Sequence, residues 1–343
     1  MKLKFKLFIF FAGLFISAQA EEYTREVHSS YLKSQIQALD ISNKFGTITI
    51  NDFGGDSVVV DAVITVENAT EKRAEYLLGQ IQVSIRKVGN SLNIETSINE
   101  DFKTKENFSI DYTINIPADR DLAVTNKFGN VVLNNLNANG QFNISYGNIN
   151  TGTLEAPDAK HIKMDIAYGK ADIESANRMQ AEIKYSKLFL REAKSLNIIS
   201  KYSGLNISEI GELVLESKYD GVDIEEIKSL KANSKYTNYN IEELGQRLLI
   251  NTEYGSVRIK EVTADFESIE LTNSYGGIEI GLGNKNYFID ASCDYCDIKY
   301  PEDKFKGNRE KRNNNFYLRG NIGAESNKKV LIKSRYGGIK LRE

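Results

Sequence analysis

Histidine, proline and tryptophan are nearly missing from this chain of 343 residues, which has 2 His, 3 Pro and no Trp. With only His28 and His161, far apart and on unlike segments, a His-based triad or multi-His metal centre has almost nothing to draw on. The lack of Trp removes the best platform for stacking a sugar. A charge excess is lacking too, because 44 Lys and Arg stand against 47 Asp and Glu, a net charge of −3. No global basic field is available for nucleic acid, and no nucleic-acid partner is expected. After Leu7–Ile16 no run approaches the roughly 18 apolar residues of a membrane span, so no transmembrane segment is expected.

What the chain does have is a repeat. A Lys-Tyr pair or its near equivalent returns every 17 residues at Tyr185, Tyr202, Tyr219 and Tyr236. A step so short is too small for a helical hairpin repeat but suffices for two or three short strands joined by tight turns. Counted from each Tyr as zero, positions 3 and 5 are Leu205 and Ile207, then Val222 and Ile224, then Tyr239 and Ile241. That alternation predicts an inward strand. Ile210 and Ile227 at position 8, with Leu213 and Leu230 at position 11, predict a second. Parity also predicts inward Tyr side chains.

The repeat extends through Phe128, Tyr146, Tyr168, Tyr254, Tyr275, Tyr295 and Tyr336 with unequal steps, which read as loops of different length. Gly follows the aromatic residue at Gly129, Gly147, Gly169, Gly255, Gly276 and Gly337, marking a corner that needs positive φ or a close backbone approach. The fold class is therefore all-β, a single-stranded parallel β-helix or β-solenoid of ~17-residue coils. If each coil rises one strand spacing, the aromatic-marked coils make a rod of roughly 50 Å.

The two ends differ from the middle. Residues 1–20 read as a signal peptide: Lys2, Lys4 and Lys6, an apolar Leu7–Ile16, then Ala18-Gln19-Ala20 as the cleavage site before Glu21. The expected destination is export to the periplasm, the outer cell surface or the medium. Residues 21–125 read as a first coil at Asn43-Lys44-Phe45-Gly46 and an α+β capping region, and 126–343 as the solenoid. The cap is predicted to hold a helix starting at Asn68-Ala69-Thr70-Glu71, a hairpin around Gly89-Asn90, and a strand over Phe108–Ile116. Such a cap covers strand edges that would otherwise aggregate.

The signal peptide, the Phe-Gly coil starts at Phe45 and Phe128, the strand ending in Ile116-Pro117 and the Tyr-Gly-Gly-Ile steps at Tyr275 and Tyr336 carry a likeness. The chain resembles the adhesin family of Bacteroidetes-type bacteria, secreted proteins related to the auto-transporter adhesin head domain. The resemblance implies a right-handed parallel β-helix and a bacterial envelope setting. It supplies no catalytic residues to carry over.

Candidate binding residues come from the columns. Position 7 is Glu192, Glu209, Glu226, Glu243 and Glu261, a row whose like charges repel and which divalent Ca²⁺ would relieve. The residue before each Tyr is Lys184, Lys201, Lys218 and Lys235, a row suited to an anionic polymer. A loop excursion over 301–330 adds Lys304, Lys306, Arg309, Lys311 and Arg312, followed by Phe316 and Tyr317. Loops on a rigid scaffold are where binding concentrates. Cys293 and Cys296 straddle a coil corner rather than opening a helix, and read as a structural pair. With no catalytic residues and no required cofactor to name, the expectation is a non-enzymatic, adhesin-like module for envelope polysaccharide or another cell-surface protein. A β-helix lyase or glycosidase and a periplasmic regulatory partner remain the alternatives.

Overall fold

In the computed structural model, which describes residues 21–343, the predicted alternation becomes one continuous ladder of 26 strands. The predicted signal peptide lies outside the described residues. The chain opens with β1 (Glu22–Leu32), β2 (Ala38–Lys44), β3 (Ile48–Asp52) and β4 (Ser57–Glu67). Helix α1 (Glu71–Gly79) follows, with Thr70 at its N-cap and Ala74 and Leu77 buried. Next come the antiparallel hairpin of β5 (Ile81–Val88) and β6 (Ser91–Ile98), turned at Gly89 with φ 61°, and then β7 (Phe108–Ile116). The predicted cap elements are all present. They seat the Phe45 coil, because β2 lies between β6 and β8 (Asp121–Lys127), and β3 between β7 and β9 (Val131–Leu136).

From here the coils stack. β10 (Gly140–Ser145), β11 (Asn148–Leu154) and β12 (Ile162–Ala167) lead into β13 (Lys170–Lys184), β14 (Lys187–Lys201), β15 (Gly204–Lys218), β16 (Gly221–Lys235) and β17 (Asn238–Glu253). In these five coils each repeat is one strand of 15 or 16 residues instead of two or three short ones. Pairing is parallel and in register, with Leu205 on Val222, Ile207 on Ile224, Ile210 on Ile227 and Leu213 on Leu230. All of these side chains are buried. The extra residue of β17 is absorbed as a register shift after Ile227 and not as a loop.

The corners depart from the parity expectation. The corner tyrosines from Tyr146 to Tyr336 point outward, 40–54% exposed, and each ladder aromatic has φ between 49° and 61°. Extended backbone alternates sides, but a left-handed residue reverses the phase, so Lys and Tyr face outward in succession while the next small residue turns in. Such a conformation costs about 1–2 kcal/mol per bulky residue. It is offset by ring stacking and by bonds between coils, such as Tyr185 N–H to Lys201 C=O at 3.0 Å. The Gly after the aromatic is needed for close approach, not for φ: a Cβ on Gly147 would lie 1.9 Å from the Gly129 carbonyl oxygen.

The C-terminal end does not follow chain order. After β18 (Val257–Val262), β19 (Ser268–Ser274) and β20 (Ile278–Gly281) come β21 (Tyr287–Asp294) and β22 (Ile298–Lys299). The predicted loop excursion is instead a hairpin, β23 (Phe305–Arg312) and β24 (Asn315–Ile322), with β24 antiparallel to β21. The last coil, β25 (Lys329–Arg335) and β26 (Ile339–Arg342), then returns into the stack. β25 lies between β19 and β21, and β26 between β20 and β22. Tyr336 therefore sits between Tyr275 and Tyr295.

Candidate functional site

Because every coil repeats the same outward columns, surface groups form rows rather than a convergent pocket. The most continuous row is aromatic. Twelve rings from Phe45 through Phe128 and Tyr146 to Tyr275, Tyr336 and Tyr295 stack at 4.6–5.1 Å between centroids. Phe108 closes the N-terminal end with a tilted ring 5.1 Å from Phe45. The faces are covered by neighbouring rings, so the strip presents ring edges and phenol hydroxyls to the solvent. Sequence reasoning placed this row inside the rod.

The Lys row flanks it. Lys184, Lys201, Lys218 and Lys235 are register partners on successive strands. Lys184 pairs with Glu182 at 2.6 Å and Lys235 with Glu253 at 2.9 Å, and each partner's hydrogen bond raises the ammonium pKa. Lys218 lies 5.5 Å from the Tyr219 ring centre. Among the described residues Lys201 and Lys218 make no ion pair. The row continues as Glu253 and Ser274 to Arg335 on one side, and through Ala167 and Ser145 to Lys127 and Lys44 on the other, so the unbroken run of four lysines lies in the middle of the rod.

Glu192, Glu209, Glu226, Glu243 and Glu261 also form one row in register, and all five are exposed. Among the described residues no three His, Cys, Asp or Glu side chains converge as a metal-binding group. The hairpin residues are mostly engaged. Lys304 pairs with Glu343, Arg309 with Glu302, Lys311 with Asp297 and Arg312 with Glu310. The hydrogen bond from Lys311 holds the Asp297 carboxyl below its ordinary pKa. Phe316, expected as a surface contact, is only 2% exposed, with Arg309 and Lys311 over its ring. Alternation of β24 turns it inward and Tyr317 outward. Lys306 remains exposed on β23.

His28 on β1 meets Asp61 at 2.6 Å, whereas His161 precedes β12, so the structure does not join them through a shared partner. Cys293 and Cys296 form a disulfide across the Tyr295 corner. Elsewhere the same two columns are joined by hydrogen bonds, as where Ser334 Oγ donates to Gly337 C=O at 2.5 Å.

Under the central corners lies a polar group that column reading missed. Asp220 is 5% exposed and accepts from Ser217 Oγ at 2.6 Å, Ser203 N–H at 2.7 Å and Lys218 N–H at 3.1 Å. Burial raises its carboxyl pKa against the lowering effect of these bonds. Ser217 also meets Thr237, and Ser234 donates to Thr252, both at 2.8 Å. The buried Tyr239 phenol is pushed well above its ordinary range by desolvation. The signal was a carboxylate in a column otherwise filled by Gly, Ser, Thr and one Cys.

These features define a class: a parallel β-solenoid with a solvent-facing aromatic ladder. No family profile matches the chain, and no curated protein sequence does. Three solved structures that it is similar to are a "putative adhesin from Parabacteroides distasonis", a "putative adhesin" from Bacteroides fragilis and a "putative lipid binding protein from Parabacteroides distasonis". Identities are 11, 13 and 10%, covering 71, 92 and 94% of this chain and 96, 97 and 97% of theirs. With TM-scores of 0.33, 0.28 and 0.27 they carry no argument, and the fold rests on the strand register. No helix among the described residues is long and apolar enough to cross a membrane.

Proposed function

We propose that this chain is an exported, non-enzymatic, adhesin-like β-helix that acts as a binding module at the bacterial envelope. The observation that carries the reading is the pair of parallel rows, lysines beside stacked phenols, running along the rod at strand spacing. Rows of this kind match an extended polymer with repeated anionic groups better than a small substrate, because equivalent contacts recur along its length. Ring faces are already occupied by stacking, so recognition rests on ammonium charge and phenol hydrogen bonds. Acidic polysaccharide of the envelope has that chemistry.

A panel of uronic-acid and neutral polysaccharides tests this. Retention of the acidic members, weakening with salt and falling on the double change Lys201→Gln and Lys218→Gln, is the expected result. Turnover of any member abolished by a single substitution overturns the non-enzymatic reading and favours a lyase or glycosidase. Calcium along the Glu row is a separable part of the proposal. Millimolar Ca²⁺ should raise the melting temperature by mass action, and changing Glu209, Glu226 and Glu243 together to Gln should abolish the rise. An unchanged melting curve removes calcium from the account.

A further inference from the structure

Among the described residues four strands end the ladder, and they are not equally protected. At the C-terminal end β22 has only two residues, and β23 carries Lys306, Arg309, Glu310, Lys311 and Arg312. At the N-terminal end β5 carries Arg86 and Lys87. Short or charged edges discourage pairing with another chain. β1 also carries charge, at Glu22, Arg25 and Glu26, but it is longer: it has 11 residues and pairs along its whole length with β4, and among the described residues its other edge pairs with nothing. Roughly half of its backbone N–H and C=O groups therefore point at an open edge.

The inner face of β1 is also incomplete. Tyr23, Val27 and Tyr31 pack against the core but remain half-buried, whereas their β4 partners Val66, Ala62 and Val58 are at most 1% exposed. The difference is one of neighbours. β4 lies between β1 and β7, and β1 has a strand on one side only.

The sequence of β1 is close to self-complementary when read antiparallel to itself about Val27. In that register Tyr23 faces Tyr31, Thr24 faces Ser30, Arg25 faces Ser29, Glu26 faces His28, and Val27 faces its own copy. Faces are preserved, so Tyr23, Val27 and Tyr31 meet Tyr31, Val27 and Tyr23 of the second copy on the half-open side. On the solvent side, Glu26 and His28 form two reciprocal polar pairs. A shift of two residues in either direction instead opposes Glu26 with Glu26 or His28 with His28. The self-complementary register thus selects both the occupant and the alignment.

We propose that two copies of this protein associate head to head through antiparallel β1–β1 pairing about Val27, an isologous contact with the two-fold axis at that residue. The sheet that runs through β9, β3, β7, β4 and β1 then continues into the second copy. Two rods joined in this way present their binding rows on one particle of about twice the length. Two-site attachment to one polymer strengthens retention without any new contact to it.

Symmetry provides a specific test. Only a residue on the two-fold axis faces itself, and directly opposed residues of antiparallel strands lie about 4.5–5.5 Å apart at Cα, within disulfide reach. Cys293 and Cys296 are paired, so an added cysteine has no free thiol partner among the described residues. The exported protein should sediment as a dimer at about 100 µM. Val27→Cys should give a disulfide-linked dimer on mild oxidation, while Glu26→Cys and His28→Cys should cross-link only when mixed with each other. Glu26→Lys, which replaces the carboxylate facing His28 with an ammonium group, should weaken association about ten-fold with an unchanged thermal melt. A monomer at that concentration, or a dimer that Val27→Cys fails to link, overturns the proposal.

Discussion

The five central strands β13–β17 and the C-terminal strands β18–β26 use the same corner and the same inward columns, yet their coils are ordered differently. In the centre, each coil lies on its predecessor in the chain, as where Tyr185, Tyr202 and Tyr219 stack in sequence order. At the end, Tyr336 lies between Tyr275 and Tyr295, and the hairpin β23–β24 covers the outer edge of β21. A repeat specifies which side chains face in and which faces pair. It does not specify which coil neighbours which once the chain leaves the stack and returns. The return also gives the terminal coil a neighbour on its inner side from a distant part of the chain.

The largest expected effect probes what both regions share. Ile224 is 1% exposed and sits on Ile207, so Ile224→Asp buries an unpaired charge mid-ladder and should cost several kcal/mol in urea denaturation. Glu225→Lys, on the exposed side of the same strand, should cost within about 0.5 kcal/mol. Equal losses would break the assignment of faces.

A smaller but sharper effect separates the regions. A Cβ on Gly337 would lie 1.9 Å from the Gly276 carbonyl oxygen, an atom 61 residues earlier, whereas one on Gly221 meets nothing within 4 Å. Gly337→Ala should cost about 3 kcal/mol and Gly221→Ala within about 0.5 kcal/mol. A mild Gly337→Ala would contradict the close return of the last corner. Both are read from the same denaturation midpoint.

The smallest effect concerns pH and only the centre. Burial raises the Asp220 pKa in the folded protein, so its contribution is most favourable below the unfolded carboxylate value of about 4. It is lost as pH rises through the higher folded value, since the charged form is the one burial disfavours. Asp220→Ser, matching Ser186 and Ser203 in that column, should therefore gain stability relative to wild type between acid and neutral pH. A difference that stays flat with pH would remove Asp220 as its source. The terminal corners, with Gly or Cys in that column, have no equivalent group.

Much of this was legible in the residues because a 17-residue step aligns columns without any tertiary information. Leu205, Val222 and Tyr239 had to share a ladder, and so did the Glu and Lys rows. The Tyr direction was lost because alternation was carried through the corner. Counted back from Leu205, Ser203 faces in and Tyr202 faces out. Counted forward from Leu196 through Ile198 and Ser200, Tyr202 faces in. That conflict is itself the mark of a phase reversal, and a left-handed residue supplies one. The return of β25 was not legible, since Tyr336-Gly337 carries the same corner chemistry wherever it stacks. Nor was the hairpin, whose charged residues read as solvated loop while Phe316 and Leu318 alternate into the core.

Cysteine cross-linking between neighbouring strands tests the coil order most directly. Glu270 on β19 and Leu331 on β25 are register partners, and Leu331 is in turn the partner of Asp290 on β21. Adjacent strands place such residues ~4.8 Å apart, and strands separated by one lie about twice that distance, beyond the ~7 Å limit for a disulfide. The double change Glu270→Cys and Leu331→Cys should therefore form an intramolecular disulfide on mild oxidation, and Glu270→Cys with Asp290→Cys should not. Cross-linking of 270 to 290 instead, with 270 to 331 unlinked, would mean that the coils follow chain order to the end and that the inserted last coil is wrong.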